Sequence, residues 1–125
     1  MIQIVKDSDT RPWFFLQTAH TTYGMWVMET GHLEHLYYGE RITVDSQDPS
    51  SCAPLVIQRA FAPGNTCTYD REHPQISMED VCLEVGTLGK GDIREPFLEV
   101  RFADGSVTSD FTFDSYEVIT LKERE

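Results

Sequence analysis

The sequence contains few basic residues. Lysine and arginine together number 10 against 21 aspartates and glutamates, so the 125 residues carry a net charge of −11. A chain of this charge is repelled at long range by phosphate backbones and by anionic membrane surfaces. The charge balance therefore argues against a nucleic-acid or membrane partner and leaves a neutral partner, such as a sugar, unaffected.

Cysteine is also scarce. Cys52, Cys67 and Cys82 are odd in number and widely spaced, which fits neither a disulfide framework nor a zinc knuckle. We expect no metal or other cofactor and a location in the reducing cytoplasm.

Long apolar runs are missing. Residues 1–7 lack the basic segment and the apolar stretch of a signal peptide, and no later run is long enough to span a bilayer. A chain of 125 residues with 40% apolar and 25% charged residues is typical of one globular domain. We therefore treat residues 1–125 as one β-sandwich domain or a fragment of one.

Helical periodicity is almost absent, and β-prone segments separated by turn residues take its place. Ser77 with Asp80 has the form of a capping box and predicts one helical turn. Proline, glycine and asparagine in residues 62–75 predict a long loop. The expected fold is all-β, an antiparallel β-sandwich, with strands at residues 2–5, 13–18, 23–29, 41–44 and 116–121.

Residues 31–42 form an apolar and aromatic run between two glycines. Gly31 and Gly39 predict turns at its two ends, because glycine adopts positive φ without steric cost. The leucines and tyrosines between them predict a strand.

Residues 97–113 have the clearest hairpin pattern, with apolar residues alternating on both sides of Asp104-Gly105. A two-residue turn at this dipeptide places Phe102 opposite Val107 and makes one face of the hairpin apolar throughout.

Two pairs of residues have the chemistry of a metal or catalytic site. His32 and His35 have a spacing that would serve a metal on a helix, but in a strand it places them on opposite faces. Cys67 and His73 include a nucleophile and a base, but nothing in the sequence orients them. Packing or surface roles are favoured for both pairs.

Two further groups are candidates for sugar binding. The polar segment 70–73 lies on the long loop, where it would reach a ligand or simply be solvated. Aromatic rings stack on the apolar face of a sugar, but those of Trp13, Trp26, Tyr37 and Tyr38 lie within strand patterns, which favours core packing.

Several short motifs occur in the order found in the α-galactosidases of glycoside hydrolase family 36, which this chain therefore resembles. They are His35-Leu36-Tyr37-Tyr38-Gly39, Arg59-Ala60-Phe61-Ala62-Pro63, Gly91-Asp92-Ile93-Arg94-Glu95-Pro96, Asp104-Gly105-Ser106 and Ser109-Asp110-Phe111.

The resemblance implies that the chain is the N-terminal part of a β-sandwich of the galactose-mutarotase-like type, with the catalytic barrel of the family absent from this chain. It implies a parent enzyme that hydrolyses terminal α-galactosides such as the raffinose group, and a homo-oligomer, commonly a tetramer. No catalytic residue and no metal ligand is expected here. The substrate-rim candidates are Gln58, Arg59, Asp70 and Arg71, on a loop that approaches a neighbouring subunit's active site; many relatives have Asp in place of Gln58.

Two alternatives remain open. One is a free-standing β-sandwich module that binds carbohydrate or protein. The other is a small independent enzyme that uses Cys67 or the histidines.

Overall fold

A computed structural model describes residues 1–7, 11–56, 68–91 and 94–121 of the chain. Its regular structure is a sheet of four antiparallel strands, each paired with the next along the chain. The strands are β1 (Ile2–Asp7), β2 (Arg11–Gln17), β3 (Thr21–Val27) and β4 (Leu33–Glu40). The predicted all-β antiparallel fold is therefore confirmed.

Strand β2 is buried on both faces, which makes the architecture a sandwich. Trp13 and Phe15 belong to one core cluster with Val5, Val44 and Cys52. Successive side chains of a strand point to opposite faces, so Phe14 faces the other way. There its ring packs against those of Phe113 and Tyr116, with centroids 6.2 and 5.2 Å away.

A second core cluster consists of Met28, Ile76, Met78 and Val81, with Trp26 and Tyr69 packed against it. It joins the end of β3 to residues 69–81. The predicted helical turn is confirmed as a 3₁₀ helix at Met78–Asp80, but the Ser77 side chain makes no capping bond. Burial of Met78 and its neighbours is therefore the contact that holds this turn.

Strand β4 contains a β-bulge. Gly24 pairs with Tyr37 and Met25 pairs with His35, so Leu36 has no partner on β3. An unpaired residue shifts the side-chain alternation by one position. His35 and Tyr38 consequently both contact the ring of Tyr23, with centroids 4.9 and 5.8 Å away.

The two glycines of residues 31–42 behave differently. Gly31 has a φ of 91° and forms the predicted turn. The turn predicted at Gly39 is wrong, because β4 continues through it. The Tyr37 hydroxyl donates to the carbonyl of Glu40 at 2.7 Å, and a Cβ at Gly39 would lie 2.9 Å from that hydroxyl.

Residues 41–44 were predicted as a strand, and this is wrong. Side chains supply several of their hydrogen bonds: the Thr22 hydroxyl accepts from the Ile42 amide at 3.0 Å, and the Gln3 amide donates to the Val44 carbonyl at 2.6 Å. The loop that follows contains a 3₁₀ helix at Pro49–Leu55, capped by the Asp48 carboxylate.

The turn of the predicted C-terminal hairpin is present, but its register differs. The Phe102 amide donates to the Ser106 carbonyl at 2.9 Å, so the loop has three residues rather than two. Asp104 accepts hydrogen bonds from both the amide and the hydroxyl of Ser106, and Gly105 supplies the positive φ that a three-residue loop needs. Phe102 therefore lies opposite Ser106, not Val107.

Strands were also predicted on both sides of this turn and at residues 116–121, and the described residues contain none there. Several large apolar side chains of this region are exposed, from 38% for Val107 to 84% for Leu121. The predicted pairing that would have made one face apolar throughout is therefore not formed, and these side chains are not buried. Within the described ranges, no helix is long and apolar enough to cross a membrane.

We expect Gly31→Ala to lower the free energy of unfolding by about 1–2 kcal/mol, because alanine is strained at positive φ. A Cβ there would also lie 3.3 Å from Cβ of Thr112. Gly105→Ala is the matched control, since Gly105 has a φ of 87° and nothing within 4 Å of the added Cβ. Urea unfolding should show the larger loss for Gly31→Ala, and equal losses would contradict the crowding at Thr112.

Candidate functional site

The polar segment 70–73, near the end of the predicted long loop, is held in a compact turn. The Asp70 carboxylate accepts hydrogen bonds from the amide and from Nδ1 of His73, at 2.8 and 2.7 Å. Nε2 of His73 lies 3.9 Å from the Glu29 carboxylate. Desolvation raises the pKa of Asp70, but the hydrogen bonds and charge of His73 outweigh it, so this pKa is below its usual value.

Asp70 and Arg71 are an acceptor and a donor that are adjacent in sequence. Asp70 is partly exposed, and Arg71 is exposed next to it. A carboxylate and a guanidinium together satisfy the donors and acceptors of sugar hydroxyls. The other two rim candidates, Gln58 and Arg59, lie outside the described residues, as does Cys67.

A buried polar network fixes this segment to the sandwich. His32 is 2% exposed, and its Nε2 donates to Oδ1 of Asp110 at 2.6 Å. In the neutral ring this leaves Nδ1 to accept from the Thr30 hydroxyl at 2.7 Å. The Tyr69 hydroxyl donates to Oδ2 of Asp110 at 2.5 Å. The single carboxylate of Asp110 therefore binds both His32, at the β3–β4 turn, and Tyr69, which precedes the polar segment.

Tyr69 also packs edge-on against the His32 ring, with centroids 4.7 Å apart. Its backbone amide donates to the Ile76 carbonyl at 2.7 Å. Together these contacts hold the residue that immediately precedes Asp70, and so determine where Asp70 and Arg71 lie.

A second polar group consists of Tyr23, His35 and Glu84. The Tyr23 hydroxyl lies 2.8 and 2.6 Å from the two carboxylate oxygens of Glu84. Nδ1 of His35 lies 3.3 Å from Oε1 of the same carboxylate. No local pattern predicts this group, because 61 residues separate Tyr23 from Glu84.

The two histidines considered for a metal contact different partners, His32 beside Asp110 and His35 beside Glu84. Each serves as a packing and hydrogen-bonding residue, as favoured above. Among the residues that the structure describes, no group of three or more His, Cys, Asp or Glu side chains is placed to hold a metal ion.

The four aromatic candidates divide into buried and exposed residues. Trp13 is in the core and stacks at 4.8 Å against Trp26, whose Nε1 donates to Glu34 at 2.9 Å. Tyr37 is half-buried. Tyr38 is 69% exposed, so the prediction of core packing is wrong for this residue, and the β-bulge at Leu36 is the reason.

Glu84 also lines an open cleft of about 440 Å³ between residues 82–86 and residues 94–97. The exposed ring of Phe97 is part of its wall.

Asp110→Asn should lower the free energy of unfolding by about 1–3 kcal/mol, because an amide cannot accept from both the His32 ring and the Tyr69 hydroxyl. Asp114→Asn removes the same charge from an exposed position and should change stability little. Urea unfolding of both variants measures the difference, and equal midpoints would contradict the role of the network.

Alkaline pH should also weaken the hydrogen bond between Tyr69 and Asp110, which holds the polar segment in place. Burial and the hydrogen bond to Asp110 raise the pKa of Tyr69 to about 12 from 10.0. Since the folded chain holds this proton more tightly than the unfolded chain, the stabilisation is complete below pH 10 and is lost as pH rises towards 12.

Unfolding midpoints measured across that range should fall, and they should fall less steeply in Tyr69→Phe, which has no phenol to ionise. Tyr23 has a similarly raised pKa and remains in both proteins, so it does not affect the difference between them. Parallel pH profiles would contradict the assignment.

Comparison with known proteins finds a matching family model and similar enzymes. Residues 31–125 match the family model described as the glycosyl hydrolase family 36 N-terminal domain. The bifunctional alpha-galactosidase/sucrose kinase AgaSK of Mediterraneibacter gnavus is 38% identical over 113 residues, which are 89% of this chain and 11% of AgaSK. Alpha-galactosidase AgaA of Geobacillus stearothermophilus is 27% identical over 111 residues, 89% of this chain and 14% of AgaA.

Solved structures agree with these sequence matches. The alpha-galactosidase of Lactobacillus brevis superposes with a TM-score of 0.73 at 29% identity, over 90% of this chain and 14% of that one. The galactosidase domain of AgaSK gives 0.69 at 30% identity, over 91% and 15%. The chain thus spans only about a seventh or less of the length of these relatives.

Proposed function

The chain belongs to the N-terminal domain family of glycoside hydrolase family 36, and from this we propose that it is the non-catalytic first portion of an α-galactosidase. The observation that carries the proposal is the family match over residues 31–125. The named relatives are α-galactosidases many times longer than this chain, so the rest of such a protein is the proposed place of the chemistry.

The carboxylates of the described sandwich support a structural role. Retaining glycosidases need a nucleophile and an acid/base about 5 Å apart on either side of the sugar bond. Glu34, Glu84 and Asp110 instead each accept hydrogen bonds from an aromatic side chain of the sandwich. They act as fixed acceptors that join segments, which is what a supporting domain requires.

The proposed substrates are terminal α-galactosides of the raffinose group. The relative AgaSK is named as both an alpha-galactosidase and a sucrose kinase, and removal of galactose from an α-galactosyl sucrose would supply that kinase with its substrate. The proposed compartment is the cytoplasm, where thiols such as the exposed Cys82 stay reduced.

In this proposal the polar segment contributes at the edge of the sugar site. Asp70 accepts from a hydroxyl and Arg71 donates to one, with Gln58 and Arg59 on the same loop. The partner is a second copy of the enzyme in a homo-oligomer, whose active site the loop approaches. The anchoring of Tyr69 supports this role, because a loop that binds substrate across an interface must hold its position.

The test compares the 125-residue chain with the complete reading frame that contains it, both assayed on a chromogenic α-galactoside. We expect hydrolysis by the complete protein and none by the chain alone. Hydrolysis by the isolated chain would refute the non-catalytic role. A complete protein that binds α-galactosides without hydrolysing them would favour a free-standing carbohydrate-binding module.

A further inference from the structure

The cleft beside Glu84 has walls that are fixed by hydrogen bonds. On one side, residues 82–84 pair with β4: the His35 amide donates to the Cys82 carbonyl at 2.8 Å, and the Glu84 amide donates to the Leu33 carbonyl at 2.9 Å. On the other side, the Arg94 guanidinium donates to the carbonyls of Met78 and Val81.

Gly86, which also lines the cleft, is held in the same way. The Gly86 carbonyl accepts from the amides of Phe97 and Leu98, at 3.0 and 3.3 Å. Both walls therefore exist before any ligand binds, and a preformed site avoids the entropy cost of ordering them.

One exposed aromatic ring lines this cleft, and a second is linked to it through Tyr23. Phe97 lines it and is 78% exposed, and Tyr38 is 69% exposed. Tyr38 contacts the Tyr23 ring, and the Tyr23 hydroxyl binds the Glu84 carboxylate within the cleft. Tyr38, Tyr23 and Glu84 are thus linked by direct contacts, and Glu84 shares the cleft with the exposed ring of Phe97.

The Glu84 carboxylate is held in one orientation by its hydrogen bonds. Tyr23 and His35 both bind the Glu84 carboxylate, and burial with the hydrogen bond to Glu84 raises the pKa of Tyr23 to about 12. Tyr23 consequently stays a donor at neutral pH and holds the carboxylate still. A carboxylate has about four lone-pair sites, so Glu84 retains capacity for a ligand hydroxyl.

We propose that this cleft is a second carbohydrate-binding site, distinct from the rim residues Asp70 and Arg71. Glu84 and Phe97 line it, and Tyr23 and Tyr38, which are linked to Glu84 by contacts, extend it. A sugar ring has an apolar C–H face that packs on Tyr or Phe and a hydroxyl rim that donates to a carboxylate. Glu84 and Glu95 in the cleft and the net charge of −11 disfavour an anionic ligand, and the guanidinium of Arg94, which also lines the cleft, already donates to backbone carbonyls. The ligand class is a neutral oligo- or polysaccharide bearing α-galactosyl groups, which rests on the proposed function.

The experiment uses the complete protein in native gels with galactomannan, an α-galactosyl-substituted polysaccharide, and parallel gels without polysaccharide. We expect galactomannan to retard the protein. Tyr38→Ala and Phe97→Ala should each weaken the apparent affinity by about tenfold, the size of one lost stacking contact. Phe102→Ala is the matched control, because Phe102 is an exposed aromatic that does not line the cleft.

Glu84→Gln tests the polar contact. It keeps the shape of the side chain and removes the charge, so we expect weaker retardation while hydrolysis of a small chromogenic α-galactoside stays as in the unmodified protein. Tyr38→Ala and Phe97→Ala should melt close to the unmodified protein. Glu84→Gln should melt lower, because an amide replaces the carboxylate that binds both Tyr23 and His35, and unchanged hydrolysis then shows that this variant is folded.

Three results would overturn the proposal: no retardation by galactomannan, equal weakening by Phe102→Ala, or a large loss of melting temperature in Tyr38→Ala and Phe97→Ala. The last would mean that other parts of the protein cover these rings. The proposed function can fail separately. If galactomannan retards the protein but the protein hydrolyses no α-galactoside, the binding site is supported and the α-galactosidase assignment is refuted.

Discussion

The buried contact between His32 and Asp110 connects parts of the chain that are 78 residues apart in sequence. His32 follows the β3–β4 turn, and Asp110 belongs to the layer that covers Phe14. Tyr69 binds the second oxygen of the same carboxylate, so the loop end is fixed at the same point. Hydrogen bonds to a charged group are about twice as strong as neutral ones, and removing Asp110 would leave buried donors unpaired. The two layers and the polar segment therefore depend on one side chain.

The bulge in β4 is the second feature on which the surface depends. A regular strand would place His35 and Tyr38 on opposite faces, since they are three residues apart. The unpaired Leu36 shifts the alternation, and Leu36 itself packs against the core cluster around Phe15. His35 and Tyr38 can then share the Tyr23 face. The same insertion thus packs a leucine against the core and exposes a tyrosine beside Tyr23.

Much of the sheet was predictable from local pattern. Strands β1 to β3 and the run after Gly31 follow from alternation and turn residues, because strand formation and glycine turns depend on neighbours in sequence. The hairpin register was not predictable from Asp104-Gly105 alone, since the Asp104 side chain binds Ser106 and selects a three-residue loop. The strands predicted near the C-terminus were wrong among the described residues. An apolar pattern indicates which side chains a segment could bury, but they are buried only if another segment packs against them.

The candidate site was likewise predictable from the sequence only in part. The polar segment with Asp70 and Arg71 and the family motifs are visible in the sequence, because they are contiguous residues. The sequence by itself determined an all-β chain, its acidic charge and its family, since these depend on composition and short-range order. Only the tertiary structure brought Tyr69 to Asp110 and Tyr23 to Glu84, because each pair joins distant residues whose contact exists only after the sheet has formed and packed.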